Sequence, residues 1–329
     1  MVVVMSAGAD AAEISAVVET VEAAGGSAFV SRGEQRTIVG LVGDIELFVN
    51  LNLAALPGVA EVIRISAPYK LVSRDNHPAT STVSVGGIKI GGGSFAFIAG
   101  PCAVESREQT LEAAGMAKAA GATLLRGGAY KPRTSPYSFQ GLGAPALEIL
   151  AEAREATGLP VVTEVVDVAD VPLVAEYADM LQIGTRNAQN FGLLQAVGAV
   201  GKPVLLKRGL TATYEEWLMS AEYVARSGTL DIVLCERGIR SFEPTIRNML
   251  DISAVPVVHA LSHLPVIVDP SHAAGRRDLI VPLARAGIGA GADGIIVDVH
   301  PHPDQALCDG PQALFGADLD ELARAVHNR

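Results

Sequence analysis

The sequence predicts an α/β protein in which a (β/α)8 TIM barrel follows an N-terminal ferredoxin-like (βαββαβ) domain. Residues 1–65 contain four short apolar runs and two helix-like segments in the ferredoxin-like order β-α-β-β-α-β. The last ~245 residues repeat an apolar run and a helix-like segment eight times, which is typical of a parallel sheet and close to the ~250 residues of a closed barrel. An open, doubly wound sheet is the alternative architecture.

In the N-terminal domain, caps and apolar spacing predict the elements. Residues 2–5 form an apolar strand, and Asp10 is the expected N-cap of a helix that ends at Gly25-Gly26. Asp44 is expected to cap a second helix, which runs through Phe48 and Leu53. The other strands are expected at residues 28–30, 37–42 and 59–65.

We expect residues 1–66 to form one domain and residues 83–329 to form another. The segment between them, residues 67–82, is polar, contains Pro68 and Pro78, and is expected to be a linker. Residues 83–90, around Gly86-Gly87, are expected to form a hairpin at the bottom of the barrel.

Eight apolar runs, each bounded by glycine, proline or charge, are the predicted barrel strands. They are residues 95–99, 123–126, 161–164, 180–184, 203–207, 231–236, 266–269 and 294–299. Barrel enzymes place their chemistry at the C-terminal ends of the strands. The residues at these ends are therefore the candidates for a functional site.

Composition excludes several classes of protein. The 25 basic and 36 acidic residues give a net charge of −11, so nucleic acid and anionic membranes are not expected partners. No apolar run reaches the ~18 residues of a membrane span, and the start lacks the pattern of a secretory signal. Three cysteines cannot all pair within the chain, which favours a reducing cytoplasm.

Cations are concentrated at the predicted strand ends of this acidic chain. Several positive charges in one barrel mouth repel each other unless anions neutralise them, and arginine suits two-pronged binding of phosphate and carboxylate. We therefore expect a ligand with several negative charges, such as a phosphate plus a carboxylate. For any single residue the alternative is a solvated surface cation. The six cations are Arg126, Lys131, Arg133, Arg186, Lys207 and Arg237.

Metal-ligand residue types occur at the same strand ends. Sulfur, nitrogen and oxygen donors come from Cys102, His272, Asp298 and Asp309. Such a mixed set suits divalent Mn, Fe, Co, Zn or Cu better than Mg or Ca. Each residue also has a structural alternative: Cys102 as a buried thiol, His272 as a hydrogen-bonding turn residue, and Asp309 as a turn residue before Gly310-Pro311.

Seven motifs resemble a known family, the microbial type I 3-deoxy-D-arabino-heptulosonate 7-phosphate (DAHP) synthases of the beta subgroup. They are GPCAVES at 100–106, RGGAYKPRTSP at 126–136, IGTRN at 183–187, LKRG at 206–209, CERG at 235–238, DPSHA at 269–273 and CDGPQ at 308–312. The resemblance covers residues 95–314, and residues 1–66 look like the ferredoxin-like extension of some members.

The resemblance implies an enzyme that joins phosphoenolpyruvate to erythrose 4-phosphate and releases phosphate, the first step of the shikimate pathway. The resemblance implies three groups of binding residues. Phosphoenolpyruvate is expected to be held by Arg126, Lys131, Arg186, Lys207 and Arg237, and the sugar phosphate by Arg133, Thr134 and Ser135. The metal is expected to be held by Cys102, His272, Asp298 and Asp309. In relatives the N-terminal domain binds an aromatic amino acid at a contact between subunits. The resemblance therefore implies such an effector and a homotetramer or homodimer. Alternatively, the N-terminal domain serves only for oligomerisation.

Catalytic roles are expected for a few of these residues. Lys131 and His272 are candidates for proton transfer, beside the metal ligand Cys102. Glu164 and Asp269 could position water or orient the cations, or could be structural ion pairs.

Two positions depart from the pattern of the family. Asp298 stands where members usually have Glu, so we expect either a shifted strand end or a bridging water. Cys308 stands where Ser is common, and its thiol could pair with Cys102 on oxidation.

Three other functions remain open at this point. The first is 3-deoxy-D-manno-octulosonate 8-phosphate synthase, which uses arabinose 5-phosphate; the run at residues 132–135 favours the four-carbon sugar. The second is a Schiff-base aldolase with Lys207 or Lys131 as nucleophile. The third is a non-catalytic barrel that binds anions.

Overall fold

The N-terminal elements follow the predicted order. In this computed structural model, residues 1–33, 36–64 and 67–329 are described, and the chain divides into two units, Met1–Pro68 and Tyr69–Arg329. The first unit contains β1 (Val2–Met5), α1 (Ala11–Ala23), β2 (Ser27–Arg32), β3 (Thr37–Val42), α2 (Ile45–Val49) and β4 (Val59–Ile63). These strands form an antiparallel sheet in the order β2-β3-β1-β4. The predicted ferredoxin-like domain is therefore confirmed.

Local sequence explains both the agreements and one error in this unit. The Asp10 side chain accepts the Glu13 backbone N–H at 2.9 Å, and the Glu13 carboxylate accepts that of Asp10 at 3.0 Å, which is a capping box. The second helix is shorter than predicted, because Asn52 adopts a left-handed conformation (φ 45°) and Leu53 begins a separate 3₁₀ turn. Ile65, the predicted end of the last strand, lies outside the described residues.

Eight parallel strands of the second unit close into a barrel. They are β7 (Ala96–Gly100), β8 (Leu124–Arg126), β9 (Val161–Glu164), β10 (Met180–Ile183), β11 (Val204–Lys207), β12 (Ile232–Glu236), β13 (Val266–Val268) and β14 (Gly294–Asp298). β14 pairs with β7 in a regular parallel register, so the predicted barrel is confirmed and the open sheet is wrong. A hairpin of β5 (Val83–Val85) and β6 (Ile88–Ile90) shares a core cluster with strand residues such as Leu124 and Met180.

Helices surround the barrel. They are α3 (Arg107–Ala119), α4 (Ala144–Thr157), α5 (Val171–Tyr177), α6 (Phe191–Ala199), α7 (Tyr214–Ser227), α8 (Ala254–Leu261), α9 (Pro270–Ala274), α10 (Ile280–Gly289) and α11 (Gly316–His327). No helix among the described residues is both long and apolar enough to cross a bilayer.

Part of the segment interpreted as a linker packs on the barrel. The Glu222 carboxylate of α7 accepts the backbone N–H groups of Lys70, Leu71 and Val72 at 2.9, 2.9 and 3.1 Å. Further along, the Ser81 hydroxyl lies 2.7 Å from Nδ1 of the buried His263. Residues 70–81 are thus tied to the barrel by side-chain hydrogen bonds.

Candidate active site

The C-terminal ends of the barrel strands surround a cavity of about 290 Å³. Eleven of the sequence-predicted residues line it: Arg126, Lys131, Arg133, Thr134, Ser135, Glu164, Arg186, Lys207, Arg237, His272 and Asp309. Cys102, Asp269 and Asp298 are buried and are not part of the lining, but each contacts a lining residue. The geometry therefore brings all fourteen predicted residues to one end of the barrel.

Two glycines permit the close approaches that build this rim. A Cβ atom on Gly100 would lie 2.1 Å from the Arg126 carbonyl oxygen, so only glycine lets β7 approach β8 at this level. A Cβ atom on Gly184 would lie 2.0 Å from Oε1 of Glu164. The Glu164 carboxylate consequently lies over the end of β10, where Gln182 donates to it at 3.1 Å.

Four potential metal ligands converge beside the cavity. One donor atom each from Cys102, His272, Asp298 and Asp309 lies within 4.8 Å of all the others. Sγ of Cys102 lies 3.0 Å from Oδ2 of Asp309 and 3.6 Å from Nε2 of His272. The same Nε2 lies 3.6 Å from Oδ2 of Asp298. Asp309 has a left-handed backbone (φ 54°), a conformation that aspartate adopts more readily than most residues.

Outer hydrogen bonds orient these ligands. Nδ1 of His272 lies 2.9 Å from Oδ2 of Asp269, which leaves Nε2 to face the cluster. Arg247 donates to Oδ1 of Asp309 at 2.9 Å, and Gln312 donates to Oδ2 of Asp298 at 2.6 Å. Partners of this kind are typical of metal sites, where they fix the tautomer and the direction of each ligand.

The pKa of His272 favours metal binding, whereas the pKa of Cys102 opposes it. Burial lowers the pKa of His272, which keeps the imidazole neutral as a ligand must be, although Asp269 and Asp298 act in the opposite direction. A hydrogen bond with Cys308 and burial raise the pKa of Cys102, so a metal ion would displace the thiol proton. With sulfur, nitrogen and oxygen donors, the cluster fits a borderline divalent ion.

Carboxylates fix some of the cations of the rim. Arg126 forms a buried ion pair with Asp298, and Nζ of Lys207 lies 2.5 Å from Oδ2 of Asp269. Burial would raise the pKa of Asp269, but His272 and Lys207 outweigh it and hold this pKa well below its usual range. Nζ of Lys131 lies 3.1 Å from Sγ of Cys102.

Other cationic atoms in the cavity have no protein acceptor. Nη1 of Arg237 and Nε of Arg126 are buried and have no hydrogen-bond partner among the described residues. Burial lowers the pKa of Arg237, because its charge is removed from water with little compensation. A buried cation without a partner is costly, so these groups indicate a site for an anion.

Sequence reasoning missed several residues of the site, among them Arg247, Gln182 and Gln312. Arg247 lines the cavity and contacts Asp309, but it lies eleven residues beyond the end of β12, and no pattern points to it. Gln312 lies within the motif at 308–312, but a search for ionisable ligand types passes over an amide.

Comparison with known proteins identifies the family. Residues 70–328 match the DAHP synthetase I family, and residues 1–67 match the DAHP synthase ferredoxin-like domain. The chain belongs to the DAHP synthetase I family. A phospho-2-dehydro-3-deoxyheptonate aldolase of Thermotoga maritima is 54% identical over 326 residues, which cover 99% of this chain and 96% of the relative.

Solved structures agree with this membership of the DAHP synthetase I family. The crystal structure of the Thermotoga maritima DAHP synthase is 51% identical, has a TM-score of 0.91, and is matched over 99% of this chain and 96% of its own. A more distant relative is a 2-dehydro-3-deoxyphosphooctonate aldolase of a Geobacter species, which is 32% identical and covers 75% of this chain and 96% of the relative.

Proposed function

We propose that this chain condenses phosphoenolpyruvate with erythrose 4-phosphate to give DAHP and phosphate, the metal-dependent first step of the shikimate pathway. The observation that carries the proposal is the cavity, which seven cationic side chains and only two carboxylates line, next to a four-donor cluster. Two phosphorylated substrates, one of them also a carboxylate, match that charge. Within the family we assign the chain to the beta subgroup on its motifs.

Phosphoenolpyruvate is proposed to occupy the inner part of the cavity. Its carboxylate and phosphate would be bound by Arg126, Lys131, Arg186, Lys207 and Arg237. The unpaired buried nitrogen atoms of Arg126 and Arg237 support this assignment, because each needs an acceptor. These five cationic side chains would bind the anion and orient its C3 carbon toward the second substrate.

Erythrose 4-phosphate is proposed to enter at the outer rim. Arg133, Thr134 and Ser135 lie on the loop after β8, and all three line the cavity mouth. Nη2 of Arg186 lies 3.3 Å from Oγ1 of Thr134, so this loop adjoins the proposed phosphoenolpyruvate site. The aldehyde of the sugar would then reach inward, while its phosphate stays on the loop.

Activation of the aldehyde and proton transfer to the new alkoxide are proposed for neighbouring groups of the site, since Lys131 contacts Cys102. A bound divalent metal, of the Mn, Fe, Co, Zn or Cu type, would act as a Lewis acid on the aldehyde oxygen and would be held by Cys102, His272, Asp298 and Asp309. Burial lowers the pKa of Lys131, but the neighbouring Cys102 and Cys308 outweigh it and raise this pKa, so Lys131 carries a proton that it would donate to the new alkoxide, with His272 as the alternative donor.

Glu164 and Asp269 are proposed to have different tasks. Glu164 lines the cavity and has only an amide as its side-chain partner among the described residues, so it would position the water that adds to C2. Asp269 is fully buried and contacts both Lys207 and His272, so it would orient these two side chains. Phosphate then leaves by cleavage of its C–O bond.

A two-substrate assay tests the proposal. Purified enzyme with phosphoenolpyruvate and erythrose 4-phosphate should release phosphate, and arabinose 5-phosphate should give a far lower rate. A higher rate with arabinose 5-phosphate would instead support the octulosonate synthase. Borohydride should trap no adduct, since a trapped adduct would indicate a Schiff-base aldolase. Absence of phosphate release with either sugar from metal-loaded enzyme would refute the enzymatic function.

The N-terminal unit is proposed to regulate the enzyme by binding an aromatic amino acid within a homotetramer or homodimer. A groove of about 730 Å³ between α1 and β2 supports a ligand, with apolar Ile14, Val18 and Val30 beside the charged Arg32. Tyrosine, phenylalanine or prephenate should inhibit the full-length enzyme but not a form that lacks residues 1–67. Equal sensitivity of both forms would contradict this role.

A further inference from the structure

One charged residue in each of the LKRG and CERG motifs does not line the cavity. Arg208 directly follows Lys207 at the end of β11, and Glu236 directly precedes Arg237 at the end of β12. Successive side chains of a strand point to opposite faces. Since Lys207 and Arg237 point into the cavity, their neighbours Arg208 and Glu236 point away from it, toward the surrounding helices.

Arg208 lies in a buried network of ion pairs. Its Nη1 atom donates to Oε2 of Glu236 at 2.9 Å and to Oδ2 of Asp251 at 2.8 Å. The Arg208 side chain is only 6% exposed, and that of Glu236 is 0% exposed. The guanidinium also lies 4.6 Å from the centroid of the Tyr214 ring, whose hydroxyl donates to Asp251 at 2.7 Å. An arginine with such fixed partners has little freedom to move.

Glu236 contacts both ends of the loop between β12 and α8. Its Oε1 atom accepts the Gly238 N–H at 2.6 Å and the Asp251 N–H at 3.4 Å. Gly238 has φ 92° and no room for a Cβ atom, which would lie 2.8 Å from Asn248. The loop therefore turns sharply next to Arg237, and Glu236 holds that turn.

The two inward cations are held to different degrees. Lys207 has Asp269 as a partner at its tip, 2.5 Å away. Arg237 has an unpartnered Nη1 among the described residues, so its direction depends on the backbone on which it is carried. The like charges of Lys207 and Arg237 on adjacent strands favour separation when no anion is bound. Asp269 attracts the charge of Arg237 as well, but no hydrogen bond from the described residues fixes Nη1, so the turn that carries Arg237 has to set its direction.

We propose that Arg208 and Glu236 are positioning residues, whose buried ion pair, completed by Asp251, holds Arg237 beside Lys207 in the geometry that binds an anion. The pair links the two strand ends from the helix side, so the cations on the cavity side keep their spacing. This inference rests on the proposed function only in taking phosphoenolpyruvate as the anion. Loss of Arg208 should weaken the binding of phosphoenolpyruvate, although Arg208 does not line the cavity in which phosphoenolpyruvate is proposed to bind.

Binding of phosphoenolpyruvate to the full-length protein by calorimetry, with KM, kcat and the melting temperature, tests the role. Arg208→Met should raise the dissociation constant and the KM for phosphoenolpyruvate at least tenfold, with a smaller change in kcat. Arg208→Lys keeps the charge and should stay within threefold of wild type. Asp251→Asn, which leaves the Arg208–Glu236 pair intact, should raise both constants about threefold.

Arg154→Met is the matched control. Arg154 pairs with Asp179 at 3.2 Å at the opposite end of the barrel, before the start of β10. Its loss should lower the melting temperature and leave phosphoenolpyruvate affinity within twofold. If Arg208→Met behaves in the same way, the role is only structural and the proposal is wrong. If Arg208→Met does not fold, Asp251→Asn decides, and unchanged affinity there overturns the proposal.

The same measurements separate this inference from the proposed function. Wild-type enzyme that releases no phosphate with either sugar refutes the function. Active wild-type enzyme, together with unchanged phosphoenolpyruvate affinity in the Arg208→Met variant, refutes the positioning role alone.

Discussion

Replacement of Gln312 by leucine should weaken metal binding without removing any ligand. Gln312 is 2% exposed and donates from Nε2 to Oδ2 of the fully buried Asp298 at 2.6 Å. A hydrogen bond to a charged group contributes about 1.5–3 kcal/mol. Each ~1.4 kcal/mol is a tenfold change in an equilibrium constant, so affinity should fall about tenfold to a hundredfold. That range equals the one typical for the loss of an outer partner of a metal ligand.

The assay uses the metal alone. Protein freed of metal by a chelator is titrated with Mn²⁺, and the free ion is followed by its paramagnetic resonance. Gln109→Leu is the control, because it removes a partly buried amide by the same substitution, and Gln109 contacts none of the four donors. Its Mn²⁺ affinity should stay within twofold of wild type. A folded Gln312→Leu variant with affinity within threefold of wild type would show that Asp298 needs no help from the amide.

Three further outcomes are expected. Chelation should abolish phosphate release and Mn²⁺ should restore it, while Cys102→Ala should lose bound metal and turnover together; full activity of the metal-free enzyme would disprove the metal role. Arg126→Ala should raise the KM for phosphoenolpyruvate or lower kcat by about tenfold to a hundredfold, because it removes a charged contact and leaves Asp298 without its cation. Steady-state kinetics measure both constants, and unchanged values would exclude contact between Arg126 and the substrate. Peroxide, which is reduced to water as the two thiols lose their hydrogens, should link Cys102 to Cys308 in metal-free enzyme and less in loaded enzyme; these residues pack in one cluster, and intact mass without a loss of two hydrogens would contradict the link.

The fold follows from features that are local in sequence. Each barrel strand is a short apolar run, and glycine, proline or a charged residue marks its end. Each helix-like segment returns the chain to the same edge of the sheet. The order of the elements therefore predicts the closed barrel. The second helix was predicted too long because Leu51 and Leu53 continue its apolar spacing. The left-handed backbone of Asn52 interrupts the helix, and the spacing of apolar residues does not predict such a backbone angle.

The candidate site was predictable where topology alone brings residues together. Cations and donor atoms at strand ends must meet at one rim of a barrel, which is why Arg126, Lys207 and His272 could be assigned without any contact information. Arg247 and Gln312 were not predictable in this way. Both reach the site from long loops, and their role depends on which oxygen of Asp298 or Asp309 is left without a partner.

The aspartate at position 298 illustrates how the surroundings of a ligand compensate for its length. A shorter carboxylate predicted a shifted strand end or a bridging water, yet Asp298 keeps its regular pairing with Gly100 at the end of β14. Its Oδ2 atom still lies 3.6 Å from Nε2 of His272. Ligands about 2.0–2.3 Å from one tetrahedral ion lie roughly 3.3–3.8 Å apart, so this separation needs no shift of the strand.

The carboxylate of Asp298 accepts a hydrogen bond at each oxygen, from Arg126 at Oδ1 and from Gln312 at Oδ2. Because both donors have to be satisfied together, these two bonds fix the orientation of the carboxylate. A glutamate at this position would need an additional methylene in a fully buried space, at a cost of about 1–3 kcal/mol unless its neighbours move. Arg126, Gln312 and Asp298 therefore have to be considered together, and the length of the ligand follows from where its two donors lie.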